Sequence, residues 1–238
     1  MRAAIDLFLP LACVSCEQPL DAGEPGIVCG RCWSRVGWLP FPQCTRCGHP
    51  VAQYSCRWCP LLPPYVRSAR SACWVPEGVG GTLVHAFKYQ GWTRLADALA
   101  ERMSRLTWPA DVVHERSLLV PVPLSASRAR MRGYNQSQLL AEALHARWRV
   151  PVCDALRRET SATSQTQLTP GERRRNVSGA FRVCLPSEAL AGSHIVLVDD
   201  VVTTAATLNS CAAALFEGGA RIISYVTFGR ARAAGDRL

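Results

Sequence analysis

The sequence predicts an α/β protein, a parallel sheet preceded by a small cysteine-held module. Three observations carry this. Beyond the first 60 residues of the 238-residue chain, aliphatic runs alternate with stretches of helical periodicity, the pattern of strands joined by crossover helices. Four Cys-x-x-Cys pairs crowd into those first 60 residues. The aliphatic run Ile195–Val198 ends in two adjacent carboxylates, Asp199 and Asp200, followed by small hydroxyl residues.

The cysteine pairs are Cys13/Cys16, Cys29/Cys32, Cys44/Cys47 and Cys56/Cys59, with gaps of 12, 11 and 8 residues between them. Each Cys-x-x-Cys turn aims two thiolates at one tetrahedral ion, and two turns complete a structural site. Gly48, directly after Cys47, suits a knuckle whose backbone N–H groups turn toward sulfur. Two zinc ions, each held by four of these eight cysteines, are expected. Sequential pairing is the simplest scheme, and a cross-braced one fits the spacing too. Disulfides would need an oxidising compartment, and four pairs in series favour metal over a redox couple. So short a segment, rich in Pro and Gly, depends on its ions to fold. Metal removal is therefore expected to unfold residues 1–60 and spare the sheet. Cys73, Cys153, Cys184 and Cys211 are scattered and read as small core residues.

The length suits a metal module at 1–62 followed by an α/β domain at 63–238. No apolar run is long enough to cross a membrane. The stretch 3–13 is broken by Asp6 and Pro10 and is too short for a leader. Reduced thiols and the missing leader point to the cytoplasm. The net charge is +9, and all but one of the 27 basic residues are arginine, Lys88 being the exception. Such an excess favours phosphate or nucleic-acid partners, although a compositional bias toward arginine explains it equally well.

Taken in order, residues 61–78 read as a linker entering a short strand at Ser71–Val75. Residues 79–106 carry helical spacing in Leu83, Phe87, Leu95, Leu99 and Met103, interrupted at Gly91. Ser117–Val122 is the first core strand, ending in Pro-Val-Pro. Gln136–Trp148 is a helix, which Asn135 or Ser137 can cap. Val150–Leu156 is a second strand candidate. The polar stretch 157–177 is suited to closing over a site. Ile195–Val198 and Arg221–Phe228 flank a helix near 204–218.

Ligands of open α/β sheets bind at the carboxyl ends of strands, and a helix N-terminus offers unpaired N–H groups to an anion. Thr203, Thr204, Ala205, Ala206 and Thr207 therefore form a candidate phosphate turn. Asp199 and Asp200 can accept hydrogen bonds from vicinal sugar hydroxyls. The stretch Pro121-Val122-Pro123 leads to Arg128, Arg130 and Arg132-Gly133-Tyr134-Asn135, read as an exposed basic loop able to take further phosphate oxygens.

Residues 195–207 resemble the phosphoribosyl-pyrophosphate (PRPP) signature of the type I phosphoribosyltransferases. The resemblance implies that Asp199 and Asp200 hold the ribose and that 203–207 cradle its 5-phosphate. One position departs: Ala205 stands where the signature has glycine, which costs about 1 kcal/mol if the turn needs positive φ. Relatives acting on 6-oxopurines carry an aspartate where this chain has Thr203, and no amino-terminal cysteine nucleophile is present, since Arg2 follows Met1. No residue is assigned as a catalytic base.

The whole pattern resembles the ComF/GntX-like proteins associated with DNA uptake. It spans Asp6-Leu7-Phe8-Leu9-Pro10, His85-Ala86-Phe87-Lys88-Tyr89-Gln90-Gly91, Pro121-Val122-Pro123 and Arg132-Gly133-Tyr134-Asn135-Gln136-Ser137. It continues through Gln165, Arg173 to Val177, Gly179-Ala180-Phe181 and the segment 195–207. The resemblance implies a double zinc ribbon fused to a type I phosphoribosyltransferase-like sheet, cytoplasmic and acting on incoming single-stranded DNA. PRPP with Mg²⁺ is the expected ligand, with Arg128 and Arg132 toward pyrophosphate. Trp33, Trp38 and Trp58, with Arg31, Arg35, Arg46 and Arg57, can track a single strand or form the module's own small core. A helicase or DNA-uptake channel is a further candidate partner. An active phosphoribosyltransferase with an unidentified acceptor is the alternative.

Overall fold

The computed structural model describes residues 11–20, 26–51, 56, 58–159 and 180–232. Its centre is a parallel four-stranded sheet in the order β1-β6-β5-β2. These strands are β1 (Val66–Val75), β2 (Arg116–Pro121), β5 (His194–Val202) and β6 (Ile222–Ala231). The carboxyl ends of β5 and β6 lie level, with Asp199 opposite Thr227 and Val202 opposite Arg230.

Alternate residues of β5 enter different cores, as a period of two requires. Val196 and Val198 pack with Leu83, Phe87, Leu95, Leu99 and Leu140. Those side chains come from α2 (Gly78–Tyr89), α3 (Leu95–Ser104) and α6 (Gln136–Trp148), counting the short ribbon helix Gly30–Ser34 as α1. Ile195 and Leu197 face the other way, toward Leu208, Cys211 and Leu215 of α8 (Ala206–Glu217). Short helices α4 (Ala110–Glu115), α5 (Ala126–Arg132) and α7 (Ser187–Leu190) complete the set, and β3 (Leu156–Arg158) pairs antiparallel with β4 (Phe181–Val183).

Cys73 and Cys211 are buried as expected of small core residues, whereas Cys184 is exposed and Cys153 only half-buried. Three elements also depart from expectation. β1 is ten residues long, not five. Its first half is polar in sequence, yet Ser68, Arg70 and Ser71 are buried because each finds a partner. The Arg70 guanidinium donates to the carbonyls of Thr107 (2.7 Å), Thr45 (2.8 Å) and Ala69 (2.8 Å), and Ser71 and Thr227 share a 2.7 Å hydroxyl bond. Val150–Leu156 is not a core strand. Only Val152 bridges Leu119, flanked by bonds from Leu119 N to Pro151 O and Cys153 N to Leu119 O. Pro151 has no N–H with which to extend that ladder. The supposed basic loop after Pro123 contains helix α5, capped by Ser125, whose hydroxyl accepts from Arg128 N, and closed by left-handed Gly133.

The cysteine module is built onto the sheet. Between its two halves, Leu39 N donates to Ala72 O at 3.0 Å and Trp74 N to Gly37 O at 2.8 Å, and Ala69 N reaches Arg46 O at 2.7 Å. These bonds occupy the outer edge of β1, which would otherwise be open to a second chain. Cys13, Cys32 and Val36 join the core of α2, α3 and α6, while Cys47 and Leu62 join that of α8. The two halves thus pack on opposite faces around one edge strand. Gly48 makes the approach possible. Its φ is +66° and a Cβ there would lie 2.4 Å from Ala69 O.

Candidate sugar-phosphate site and metal centres

The eight knuckle cysteines gather as Cys13, Cys16, Cys29, Cys32 and as Cys44, Cys47, Cys56, Cys59, each set with ligand atoms within 4.8 Å of one another. The pairing is sequential. The Cys16/Cys29 sulfur separation of 3.8 Å matches the edge of a tetrahedron with metal–sulfur bonds of about 2.3 Å, and the 3.3 Å separations of Cys44/Cys59 and Cys47/Cys56 are tighter than that edge. Four sulfurs with no oxygen donor fit zinc. Burial pushes Cys44 up, but the N–H groups of Cys47 and Arg46 and the thiol of Cys59 outweigh it and bring it to about 7. Cys13 is lowered to about 7 in the same way, burial being opposed by the N–H groups of Cys29, Cys16 and Ser15. Each quartet therefore holds one thiol that ionises readily near neutrality.

At the carboxyl end of the sheet, β5 continues through the acidic pair to Val202. Asp199 Oδ1 accepts from Ser137 Oγ at 2.8 Å and from Asp200 N at 2.9 Å. Burial, reinforced by the Asp200 charge, raises Asp199 to about 7. Asp200 Oδ1 lies 2.8 Å from Lys88 Nζ. The N-terminus of α6 is fixed beside the pair by Asn135. Its Oδ1 accepts from Ser137 N, and its Nδ2 donates to Val122 O, which ends the neighbouring strand segment.

After Val202 the chain turns into α8 through Ala205, whose φ of 60° and ψ of 5° are left-handed. Ala205 thus has the conformation the signature glycine would supply, at a steric cost. Thr203, Thr204, Ala206 and Thr207 are exposed around it, and Thr204 Oγ1 accepts from Ala206 N at 3.4 Å. The second ribbon forms a wall. Trp58, Leu61 and Leu62 face Thr203, Thr204, Ala205 and Leu208 across a cavity of about 40 Å³.

Of the expected arginines, Arg132 is joined to this group and Arg128 stands exposed on α5. Arg132 donates to Gln136 Oε1 at 2.9 Å and stacks over Tyr89, 4.9 Å from the ring centroid. The last turn of α2 links the parts: Phe87 O accepts from the Tyr134 hydroxyl, Lys88 meets Asp200, and Tyr89 carries Arg132. Lys88 and the Ser137 hydroxyl were not assigned from sequence. The signal for Lys88 was its being the only lysine in an arginine-rich chain. Gln165, Arg173, Arg174, Arg175, Asn176 and Val177 lie outside the described residues, as do Asp6 to Pro10 and Arg57.

The tryptophans and arginines of the ribbons divide. Arg46 is spent internally, on the carbonyls of Val66, Cys59, Leu62 and Pro63, and Trp58 packs on His49 with centroids 5.2 Å apart. Trp33 and Trp38 instead stack at 6.1 Å and, with Phe41, Gln43, Arg102 and Arg105, line an open groove of about 470 Å³. Arg102 lies 4.6 Å over the Trp33 ring, and Phe41 is 73% exposed.

Residues 134–237 match the phosphoribosyl transferase domain and residues 4–61 the double zinc ribbon domain. The protein is therefore of the phosphoribosyltransferase fold with an N-terminal double zinc ribbon. It is 34% identical over 232 residues to DNA utilization protein YhgH of Escherichia coli O6:H1, covering 91% of this chain and 96% of that one. It is 29% identical over 233 residues to Competence protein F of Haemophilus influenzae, covering 95% and 99% of the two chains. Competence protein ComFC of Bacillus subtilis is 28% identical over 202 residues, with 81% and 79% covered. The chain belongs to the ComF/GntX-like family. Among the described residues no helix is long and apolar enough to cross a membrane.

Proposed function

We propose that the protein binds PRPP with Mg²⁺ at the carboxyl end of β5 and acts on single-stranded DNA during uptake in the cytoplasm. One observation carries the first part. An acidic pair, held by Ser137 and Lys88, precedes a left-handed turn whose threonines open to solvent at the start of a twelve-residue helix. Asp199 and Asp200 accept hydrogen bonds from the ribose hydroxyls. The N–H groups at the start of α8, with Thr203, Thr204 and Thr207, receive the 5-phosphate. Arg132, already aligned on Tyr89, and Arg128 receive pyrophosphate oxygens. Carboxylate oxygens suit Mg²⁺, which when bound neutralises pyrophosphate charge.

The second part is supported by the groove of Trp38, Phe41, Arg102 and Arg105, which offers stacking faces beside positive charge, and by the names of the relatives, which refer to competence and DNA utilization. An enzymatic role with an unidentified acceptor is the weaker reading, because Thr203 supplies no base where the 6-oxopurine enzymes carry aspartate.

Calorimetric titration of PRPP with Mg²⁺ tests the site. Binding by the natural chain and none by the Asp199→Asn, Asp200→Asn double variant is expected, and equal binding by both rejects the assignment. Salt-dependent binding of an oligothymidylate, weakened in Trp38→Ala with Phe41→Ala, tests the groove.

A further inference from the structure

The Lys88–Asp200 pair bears on what the acidic pair admits. The ammonium lies 2.8 Å from Oδ1, and both side chains are largely withdrawn from water, 20% and 9% exposed. At that depth a neighbouring charge acts strongly. A divalent ion approaching Asp200 by itself would meet a positive group already seated on its ligand. One of the two Asp199 oxygens is already engaged, Oδ1 accepting from the Ser137 hydroxyl and the Asp200 N–H. The guanidinium of Arg132, stacked on the adjacent Tyr89, adds a second positive charge to the same helix end. The pair is thus arranged to receive hydroxyl donors and not a bare cation.

Lys88 is also free to leave. It sits on the last turn of α2 at the end of a flexible four-carbon stem, and a ligand carrying several phosphate charges can draw the ammonium away from Asp200. We propose that Lys88 is the specificity-determining residue of the acidic pair: it keeps free divalent cations off Asp200 and yields the carboxylate only to a ligand that brings its own phosphate charge. Mg²⁺ then enters with the sugar phosphate and not before it. This rests on the sugar-phosphate reading of the site.

The test uses Mn²⁺ alone, followed by electron paramagnetic resonance, on zinc-loaded protein. Natural protein is expected to leave Mn²⁺ free at concentrations where Lys88→Met binds one ion per chain, roughly tenfold or more tighter, the scale for removing one charge beside a largely buried carboxylate. The gain is expected to vanish when Asp200→Asn is added to Lys88→Met. Lys88→Gln, which keeps a hydrogen-bond donor beside Asp200, carries the same expectation and serves if Lys88→Met does not fold. Equal Mn²⁺ binding by natural and Lys88-substituted proteins overturns the proposal. PRPP calorimetry on the same samples separates the two ideas. A natural protein that binds PRPP while the Lys88 variants gain no Mn²⁺ refutes the role of Lys88 alone. Variants that gain Mn²⁺ while no form binds PRPP refute the sugar-phosphate reading and the release of Lys88 by such a ligand.

Discussion

The side-chain amide of Asn209 donates to the Leu61 carbonyl at 2.8 Å, and its oxygen accepts from the Tyr225 hydroxyl at 3.0 Å. Asn209 lies in the first turn of α8 and its N–H bonds to Ala205 O, so the candidate phosphate turn leans on the second ribbon two residues after its last cysteine. Asn209→Ala is expected to cost about 1–2 kcal/mol in urea unfolding, the usual range for hydrogen bonds left without a partner. It should also weaken PRPP binding several-fold. Unchanged affinity with lowered stability would mean that the ribbon does not steady the turn.

Ala205→Gly relieves a left-handed alanine and should raise stability by up to about 1 kcal/mol, the added flexibility of the unfolded chain offsetting part of the gain. PRPP affinity is expected to hold or improve, since the missing methyl leaves more room beside the turn. A lower melting temperature would contradict the strain.

Asp199 gives the site a pH signature. Its folded value of about 7 exceeds the roughly 3.9 of an unfolded aspartate. Between those values the folded state holds the extra proton, so this group's contribution to stability falls as pH rises from about 4 to 7 and is level above. Asp199→Asn keeps an acceptor for Ser137 without the charge. The variant should be more stable than the natural protein at pH 8, by a margin that closes toward pH 4, and it should not bind PRPP. Melting curves across that range check the first expectation, and a margin independent of pH would refute it.

Zinc removal is expected to reach further than the cysteine spacing implies. The sequence suggests that a chelator unfolds residues 1–60 and leaves the sheet intact. In the structure those residues hydrogen-bond the outer edge of β1 at Ala69, Ala72 and Trp74 and enter both cores. Chelation is therefore expected to release two zinc ions per chain, lower the melting temperature of the whole protein and raise hydrogen exchange along β1. Exchange confined to the ribbons would refute this coupling.

Sequence by itself determined the four knuckles, the acidic pair with its turn and the helix at 136–148. Each depends on neighbours a few residues apart, where spacing and periodicity act directly. Tertiary structure alone decided the rest. The first half of β1 is strand because carbonyls at Thr45 and Thr107 satisfy Arg70. Arg46 became a brace for the linker. Lys88 met Asp200, and Ser137 met Asp199. A buried charge or hydroxyl is stable only with a partner in place, and here the partners lie far along the chain, where no local pattern can announce them.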